Sequence, residues 1–349
     1  MRLHVLNVLP LLALAAAGPL SSQTTEPAAQ AQTAAFAAEE NPALAASKVR
    51  EAIGNRPANE ILSISGTQRV DDQVIYVDTL RFDDGATLQL LAGNRDAIYI
   101  VAREVRLSGP EFKARIEFAD REASVGSDGA APSPALAQLP RSGNNGANGA
   151  SGRPGDPGKP GLIRKLPTVY IVAGKIRQST GGVPDFSDLR INADGIDGGT
   201  GGRGGRGQNG QPGQDGRHGS SGAFDCKSGP RSGGNGGNGG SFGSGGIGGD
   251  GGNGATVVFI VPPATVEAIK DVRVRNRGGL PGTGGVNGDP GSGAGGGSRG
   301  SAPGHCSAGG AHPGSGGAAG EAAGTPRAQS GQNEGQRGRV YYHVVDFFG

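Results

Sequence analysis

The chain has 349 residues, of which 70 are glycine, and only 4% of its residues are aromatic, with no tryptophan. So much glycine leaves too few large apolar side chains for one ordinary hydrophobic core along the whole length. The 33 basic and 31 acidic residues almost cancel, so overall charge excludes a strong electrostatic attraction to nucleic acid or to an acidic lipid surface.

Residues 1–21 have the order of a secretory signal peptide. Arg2 stands near the start, an apolar stretch runs from Val5 to Ala17, and that stretch ends in small alanines. It is shorter than the roughly 20 apolar residues that a membrane-spanning helix needs. We therefore expect an exported protein in the periplasm, at the cell surface or outside the cell, without a transmembrane segment.

Residues 22–55 are rich in alanine and are predicted to form a linker that ends in a short helix. Asn41 is a suitable N-cap, Pro42 suits the first helical position, and Gly54 follows Ile53 as a stop signal. We expect this helix to cover one end of the structure that follows.

Residues 56–349 alternate between short strands and glycine-rich inserts. Similar apolar stretches begin at Ala97, Thr168 and Thr256, and each leads through a second short strand into glycine. Such recurrence predicts an all-β fold, a repeated-strand solenoid or sandwich of stacked turns. Strands are predicted at 61–65, 74–80, 86–91, 97–107, 114–118, 168–176, 189–193, 256–261, 272–275 and 340–347, and the inserts lie at 143–161, 195–254 and 278–338.

Glycine occupies every third position through the central insert. A period of three is the period of polyproline II, so glycine lines one edge of an extended rod and another backbone can come close to it. The amides of such a rod have no partners within it and must bond sideways. A bundle of polyproline II rods is therefore predicted, and a flexible linker is the alternative. The register consists of Gly195, Gly198, Gly201, Gly204, Gly207, Gly210, Gly213, Gly216, Gly219, Gly222, Gly234, Gly237 and Gly240.

The triplets also predict an order within the bundle. Residues 198–205 and 233–240 read Gly-Gly-x, which leaves two edges of the rod bare, so these parts are predicted to lie between two neighbours. Residues 207–222 have one bare edge and are predicted to lie on the outside.

Cys226 and Cys306 each stand where a rod has to turn. Export favours a disulfide between them, which would tie two turns together. A metal site is a competing interpretation, because His218, His305 and His312 lie nearby in the sequence. No spacing matches a zinc signature, and free thiols are the third alternative.

Three resemblances follow from particular residues. The proline-bearing triplets at 152–161 resemble collagen-like proteins, which implies a trimeric triple helix. The Gly-Gly-x triplets with cysteines in the turns resemble the polyproline II bundles of snow-flea antifreeze protein and of phage tail-fibre adhesins, which implies binding of ice or of a cell-surface molecule. The repeated Tyr-Ile-Val-Ala strands are similar to right-handed β-helix proteins of the pectin-lyase type.

Catalytic and metal sites find little support in the sequence. A polysaccharide-cleaving enzyme needs paired carboxylates, and candidates are Asp194 with Asp197, or Asp78 with Asp83. Their commoner role is to cap turns. The window 245–250 matches the start of a calcium-binding repeat, but Gly252 stands where a large apolar residue is due. No catalytic residue, metal site or cofactor is predicted.

Function is predicted only as a class. We expect an exported, non-catalytic structural or binding protein whose ordered rods bind polysaccharide or another repeating cell-surface polymer, and we expect no nucleic-acid partner. Ice binding and β-helix polysaccharide cleavage are the alternatives. The binding residues are predicted at the polar outer positions Arg203, Arg206, Gln208, Asn209, Gln211 and Gln214.

Overall fold

The computed structural model describes residues 39–108, 113–119, 121, 123–133, 136, 145–178 and 189–349. The expected signal peptide and the first part of the expected linker lie outside these residues. Within them, no helix has the length and apolar character that crossing a membrane requires.

Two parallel sheets make up most of the regular structure, which confirms a β-rich fold. The chain alternates between the sheets, so strands that are consecutive in one sheet are separated by a strand of the other. The first sheet has the order β1-β3-β5-β7-β11-β13, with β1 Asn59–Ile64, β3 Val74–Phe82, β5 Ala97–Leu107, β7 Thr168–Gln178, β11 Val257–Val261 and β13 Val340–Val344. The second has the order β12-β8-β6-β4-β2, with β2 Thr67–Val70, β4 Thr87–Leu90, β6 Ala114–Phe118, β8 Leu189–Asn192 and β12 Arg273–Arg275.

The main core contains side chains from both sheets. Successive side chains of a strand point to opposite faces, so alternate residues such as Ile98 and Ile100 of β5 enter this core. Leu88 of β4 and Phe259 of β11 join the same cluster. Gly66 and Gly85 have positive φ angles of 64° and 72° and lie where the chain passes from the first sheet to the second. Glycine adopts this left-handed conformation without a Cβ penalty.

The outer face of the first sheet is covered by a helix, α1, Pro42–Ile53. The helix begins as predicted, since Asn41 accepts hydrogen bonds from the N–H groups of Ala43 at 2.9 Å and Leu44 at 3.3 Å. The prediction that it covers one end is wrong, because its apolar side chains pack with Tyr99 and Tyr170 from two central strands. Their rings stack with centroids 5.0 Å apart.

Small elements complete the regular structure. A short antiparallel pair, β9 Ser220–Ser221 and β10 Cys226–Ser228, surrounds the first cysteine, and a helix α2, Val266–Ile269, precedes β12. The strand predicted at 340–347 ends at Val344. Strand β2 and the β9–β10 pair were not predicted.

Six glycine-rich segments extend from the sheets. Three outgoing segments, 124–130, 195–219 and 277–301, follow β6, β8 and β12 of the second sheet, and three return segments, 146–162, 231–254 and 312–338, lead back into β7, β11 and β13 of the first. Their backbones hydrogen-bond side by side. Two outgoing segments, or two return segments, pair in parallel, as in the bond from the Gly201 N–H to the Thr283 carbonyl at 2.9 Å. An outgoing segment and a return segment pair antiparallel, as in the bond from the Gly246 N–H to the Gly202 carbonyl at 2.8 Å.

Candidate functional site: the surface of the glycine segments

The register glycines lie where two segments touch through their backbones. A β-carbon placed on Gly201 would be 1.9 Å from the carbonyl oxygen of Gly246, and one on Gly204 would be 1.8 Å from that of Gly243. Gly237 has the same geometry, at 2.0 Å from the carbonyl of Ala150. Real β-carbons do not approach so closely, so an alanine at these positions requires the segments to move apart. Similar distances, from 1.9 to 2.2 Å, apply at Gly195, Gly198, Gly207, Gly210, Gly213, Gly216, Gly234 and Gly240.

Two register positions lie outside this pattern. A β-carbon on Gly219 would be 2.8 Å from the Ser228 carbonyl, and one on Gly222 would meet the side chain of Asp225 at 2.3 Å. Both contacts lie in the turn around Cys226, so the close packing of whole segments ends at Gly216.

The Gly-Gly-x part of segment 195–219 has neighbours against both glycines. A β-carbon on Gly199 would be 1.9 Å from the Ser124 carbonyl, and one on Gly202 would be 2.1 Å from that of Ser127. At residues 208, 211 and 214 this second position carries glutamine instead of glycine. The described part of the neighbouring outgoing segment runs beside 199–205, which explains why the second bare edge is needed there.

Neighbouring segments are also joined by a recurring pair of hydrogen bonds, and we call this arrangement the Asx-Gly pair. The side-chain oxygen of Asp197 accepts the N–H of Leu280 at 2.7 Å, and the N–H of Gly198 donates to the carbonyl of the same Leu280 at 2.8 Å. One dipeptide thus bonds both polar backbone groups of a single residue in the next segment. The same arrangement occurs with Asp128, Asn145, Asn148, Asp194, Asn209, Asp215, Asn235, Asn238, Asp250 and Asn253, each with the glycine that follows it.

Asp250 is the most extensively bonded of these residues. Its Oδ1 accepts the N–H groups of Gln332 at 2.7 Å and Asn333 at 3.0 Å, and its Oδ2 accepts the Asn333 side-chain amide at 2.8 Å. The side-chain hydrogen bond from Asn333, together with the two backbone hydrogen bonds, holds the pKa of Asp250 below its usual range.

Among the residues predicted to bind a polymer, Arg203, Asn209 and Gln211 have side-chain contacts with other parts of the chain. Arg203 forms an ion pair with Asp289 at 3.1 Å, and Asn209 accepts the N–H of Ser292 at 2.9 Å in an Asx-Gly pair. The side-chain amide of Gln211 donates to the Leu136 carbonyl. These side chains therefore help to hold segment 195–219 among its neighbours.

The other three predicted binding residues lie on the same segment. Arg206 is exposed and has no ion pair within the described part of the chain. Gln208 is half-buried, and its side-chain oxygen lies 3.4 Å from the N–H of Arg153. Gln214 is half-buried, and its N–H donates to the Ala147 carbonyl at 2.8 Å.

The return segments present a different row of side chains, which we call the return face. The bond from Gly149 N–H to the Asn235 carbonyl places Asn148 beside Asn235, and the bond from Gly236 N–H places Asn235 beside Ser315. The side chains of this face are small, uncharged and mostly exposed, and the face is bordered by the exposed Glu321, whose carbonyl accepts the N–H of Phe242 at 3.3 Å. It comprises Asn148, Ser151, Pro154, Pro157, Asn235, Asn238, Ser241, Ser244, Ser315 and Ala318.

A disulfide joins two of the turns at the far end of the segments. Cys226 and Cys306 are bonded, with their Cα atoms 4.8 Å apart, which confirms the predicted pairing over the metal and free-thiol alternatives. Within the described residues, no group of three or more histidine, cysteine or acidic side chains is arranged to hold a metal ion.

The carboxylates considered for catalysis have contacts of their own. Asp194 is buried, pairs with Arg275 and accepts the N–H of Arg277 at 2.8 Å, while Asp197 belongs to an Asx-Gly pair. Asp78 pairs with Arg103 at 2.9 Å, and Asp83 pairs with Arg81 at 3.1 Å.

Comparison of the chain with protein-family models, with curated proteins and with solved structures finds no match.

Proposed function

We propose that the protein is exported and acts without catalysis, as a parallel β-solenoid that displays a rigid bundle of polyproline II rods. In this proposal the glycine segments are the rods, and the return face binds a polysaccharide or another repeating polymer. The disulfide supports export, because such bonds persist mainly in oxidising compartments. The tight backbone packing at the register glycines supports ordered rods over flexible linkers.

The regular, uncharged return face is the observation that carries the proposed binding. Within the described residues, the side-chain N–H groups of Asn148, Asn235 and Asn238 have no hydrogen-bond partner, whereas their oxygens are held in Asx-Gly pairs. The hydroxyl groups of Ser241 and Ser244 likewise have none there. Donors held at a fixed spacing suit a polymer whose hydroxyl groups also repeat, since little side-chain entropy is lost on binding.

The outgoing segments present both signs of charge at their exposed positions, through Asp197, Arg203, Arg206 and Asp215. A neutral polymer would have to displace water from these charged groups without pairing them, which is costly. This contrast is why the proposal places the binding surface on the return face, with the residues of segment 195–219 in a supporting role.

A glycan array with matched variants tests this proposal. Ser241→Glu with Ser244→Glu adds two charges to the return face, and Ser292→Glu with Ser298→Glu makes the same change at exposed positions of an outgoing segment. We expect the original protein and the control to bind neutral polysaccharides, and the return-face variant to lose at least about tenfold in affinity. The proposal fails if the original protein binds no neutral glycan, or if both variants bind equally well.

Ice binding is a second candidate that the same face favours. An array of small, uncharged side chains has the character that an ice surface requires, and the residues of the return face carry no charge. Thermal hysteresis of the original protein and of the Ser241→Glu, Ser244→Glu variant separates the two functions. A hysteresis gap that the variant abolishes supports ice binding, and no gap in the original protein excludes it.

A further inference from the structure

The outer face of the second sheet carries an in-register row of arginines. Arg115 of β6 is the register partner of Arg190 of β8, and Arg190 is the partner of Arg273 of β12. All three side chains are exposed. Neighbouring strands lie about 4.8 Å apart, so the three guanidinium groups follow one another at about that spacing. We call this set the arginine row.

No acidic side chain of the described residues pairs with the arginine row. Within the described residues, none of the three arginines forms an ion pair or a side-chain hydrogen bond. Like charges directly opposite each other across strands destabilise a sheet. The chain as a whole is nearly neutral, with 33 basic and 31 acidic residues, so this local excess of positive charge is not a consequence of composition.

The described acidic residues that line the groove or adjoin it do not pair with the arginine row. The arginine row lines a groove of about 380 Å³ together with Glu117, Asn192 and Arg275. Glu117, the one acidic residue of that lining, accepts a hydrogen bond from the Gln89 side chain at 2.9 Å. Arg275 is paired with Asp194. The groove therefore keeps the positive charge of the arginine row available to a ligand.

We infer that this groove binds a linear carboxylated polysaccharide, whose carboxylates pair with the guanidinium groups of Arg115, Arg190 and Arg273. Guanidinium groups bind carboxylates through two parallel hydrogen bonds, and a row of three of them about 4.8 Å apart can engage more than one carboxylate of an extended chain. Thr87 and Thr67 continue the arginine row on β4 and β2 and offer hydroxyl groups to the same chain.

The lining favours a polysaccharide over a single-stranded nucleic acid. Sites for single strands combine positive charge with aromatic side chains on which the bases stack. The described residues that line this groove include no aromatic side chain, and their apolar members are Ile191 and Val274. The inference concerns a surface other than the return face, and it holds whether or not that face binds a neutral polymer.

Binding measurements with two polymers test the inference. Polymannuronate is the charged probe, and the same polymer with its carboxyl groups reduced to alcohols is the uncharged probe. We expect the original protein to bind polymannuronate, more weakly as salt is raised, and to bind the reduced polymer at least about tenfold more weakly. Arg115→Gln with Arg190→Gln and Arg273→Gln should lower the affinity for polymannuronate by about tenfold or more. Arg217→Gln with Arg231→Gln and Arg299→Gln removes the same charge from exposed positions of the glycine segments and should leave binding unchanged.

Thermal unfolding of each variant shows whether a loss of binding comes from a loss of folding. The groove variant loses only exposed arginines that repel one another, so it should melt at or above the temperature of the original protein, and polymannuronate should raise the melting temperature of the original protein alone. Equal binding by the groove variant and the original protein, equal binding of the reduced polymer, or tighter binding of a single-stranded oligonucleotide would each overturn the inference.

Discussion

At the scale of single residues, each register glycine makes room for a carbonyl group of the neighbouring segment. The amide of Gly201 bonds to one neighbour while its α-carbon lies against another, at Gly246. Any side chain at this position would separate segments whose N–H groups have no other partner in the chain. The glycine spacing is therefore a packing requirement that recurs along the segment, and the free energy of each contact includes a hydrogen bond that a larger residue would break.

Alanine substitutions at matched glycines measure this requirement. Gly201→Ala and Gly204→Ala each place a β-carbon within 2 Å of a carbonyl oxygen, and we expect each to lower the free energy of unfolding by about 1–3 kcal/mol. Gly295 lies in the same bundle with open space around its α-carbon, so Gly295→Ala should change stability by less than about 0.5 kcal/mol. Chemical denaturation of the three variants makes the comparison, and equal stabilities would refute close packing.

Asp250 gives its segment a dependence on pH. Its folded-state pKa is lowered, so its hydrogen bonds stabilise the folded protein above the unfolded pKa of about 3.9, and that stabilisation is lost as pH falls through the folded value. Asp250→Asn keeps an acceptor oxygen but cannot titrate. We expect the difference in melting temperature between the original protein and this variant to shrink below about pH 4.

Asp271 provides the control for this measurement. It is exposed and has no hydrogen bond or ion pair within the described residues. The Asp271→Asn variant should track the original protein across the same pH range. Parallel curves for the Asp250 variant and the original protein would show that the observed contacts do not stabilise the ionised carboxylate.

At the scale of elements, the strands were largely predictable from the sequence and the pairing of segments was not. Alternating or continuous apolar residues located strands such as β5 and β7, because burial of their faces imposes that pattern. Strand β2, with the sequence Thr-Gln-Arg-Val, was missed because it is short and mostly polar. The sequence does not show which residues of two segments pair side by side. Because the glycines recur every three residues, a shift of one segment by three residues would give the same glycine contacts.

The candidate site was predicted only in part for a related reason. The sequence located Asn209 on the outside of its segment, where it is exposed, whereas Gln208, Gln211 and Gln214, predicted there as well, are half-buried. It did not indicate that Asn209 bonds the next segment, although an Asp or Asn directly before a register glycine was the available signal. The arginine row depends on strand register between β6, β8 and β12, which only the folded chain brings together.

At the scale of the whole molecule, the glycine segments continue the order of the two sheets. The outgoing segments are stacked as β6, β8 and β12 are stacked, and the return segments as β7, β11 and β13 are. The sheets contain the large apolar core, whereas the segments contribute mainly glycine backbone and small side chains. One end of the bundle is thus anchored by hydrophobic burial, and the far end depends on hydrogen bonds and the disulfide.

Removal of the disulfide should therefore act mainly at the far end. Cys226 and Cys306 are 80 residues apart in the chain, and loss of the cross-link over a loop of that length destabilises the fold by about 4.5 kcal/mol in the chain-entropy treatment. In the Cys226→Ser, Cys306→Ser variant we expect lower overall stability and faster amide hydrogen exchange at Gly216 and Gly219, which donate to the outgoing segment that leads to Cys306.

Amides of β11 supply the internal reference for that experiment. Phe259 and Ile260 lie in the buried sheet, so the rate at which their amides exchange through local opening should stay slow in the variant. Their rate of exchange through global unfolding should rise only as far as the loss of total stability requires. Reduction of the original protein should reproduce the pattern of the double variant. Uniform acceleration along the whole chain would mean that bundle and sheets unfold as one unit, because the far end would then have no weaker stability of its own.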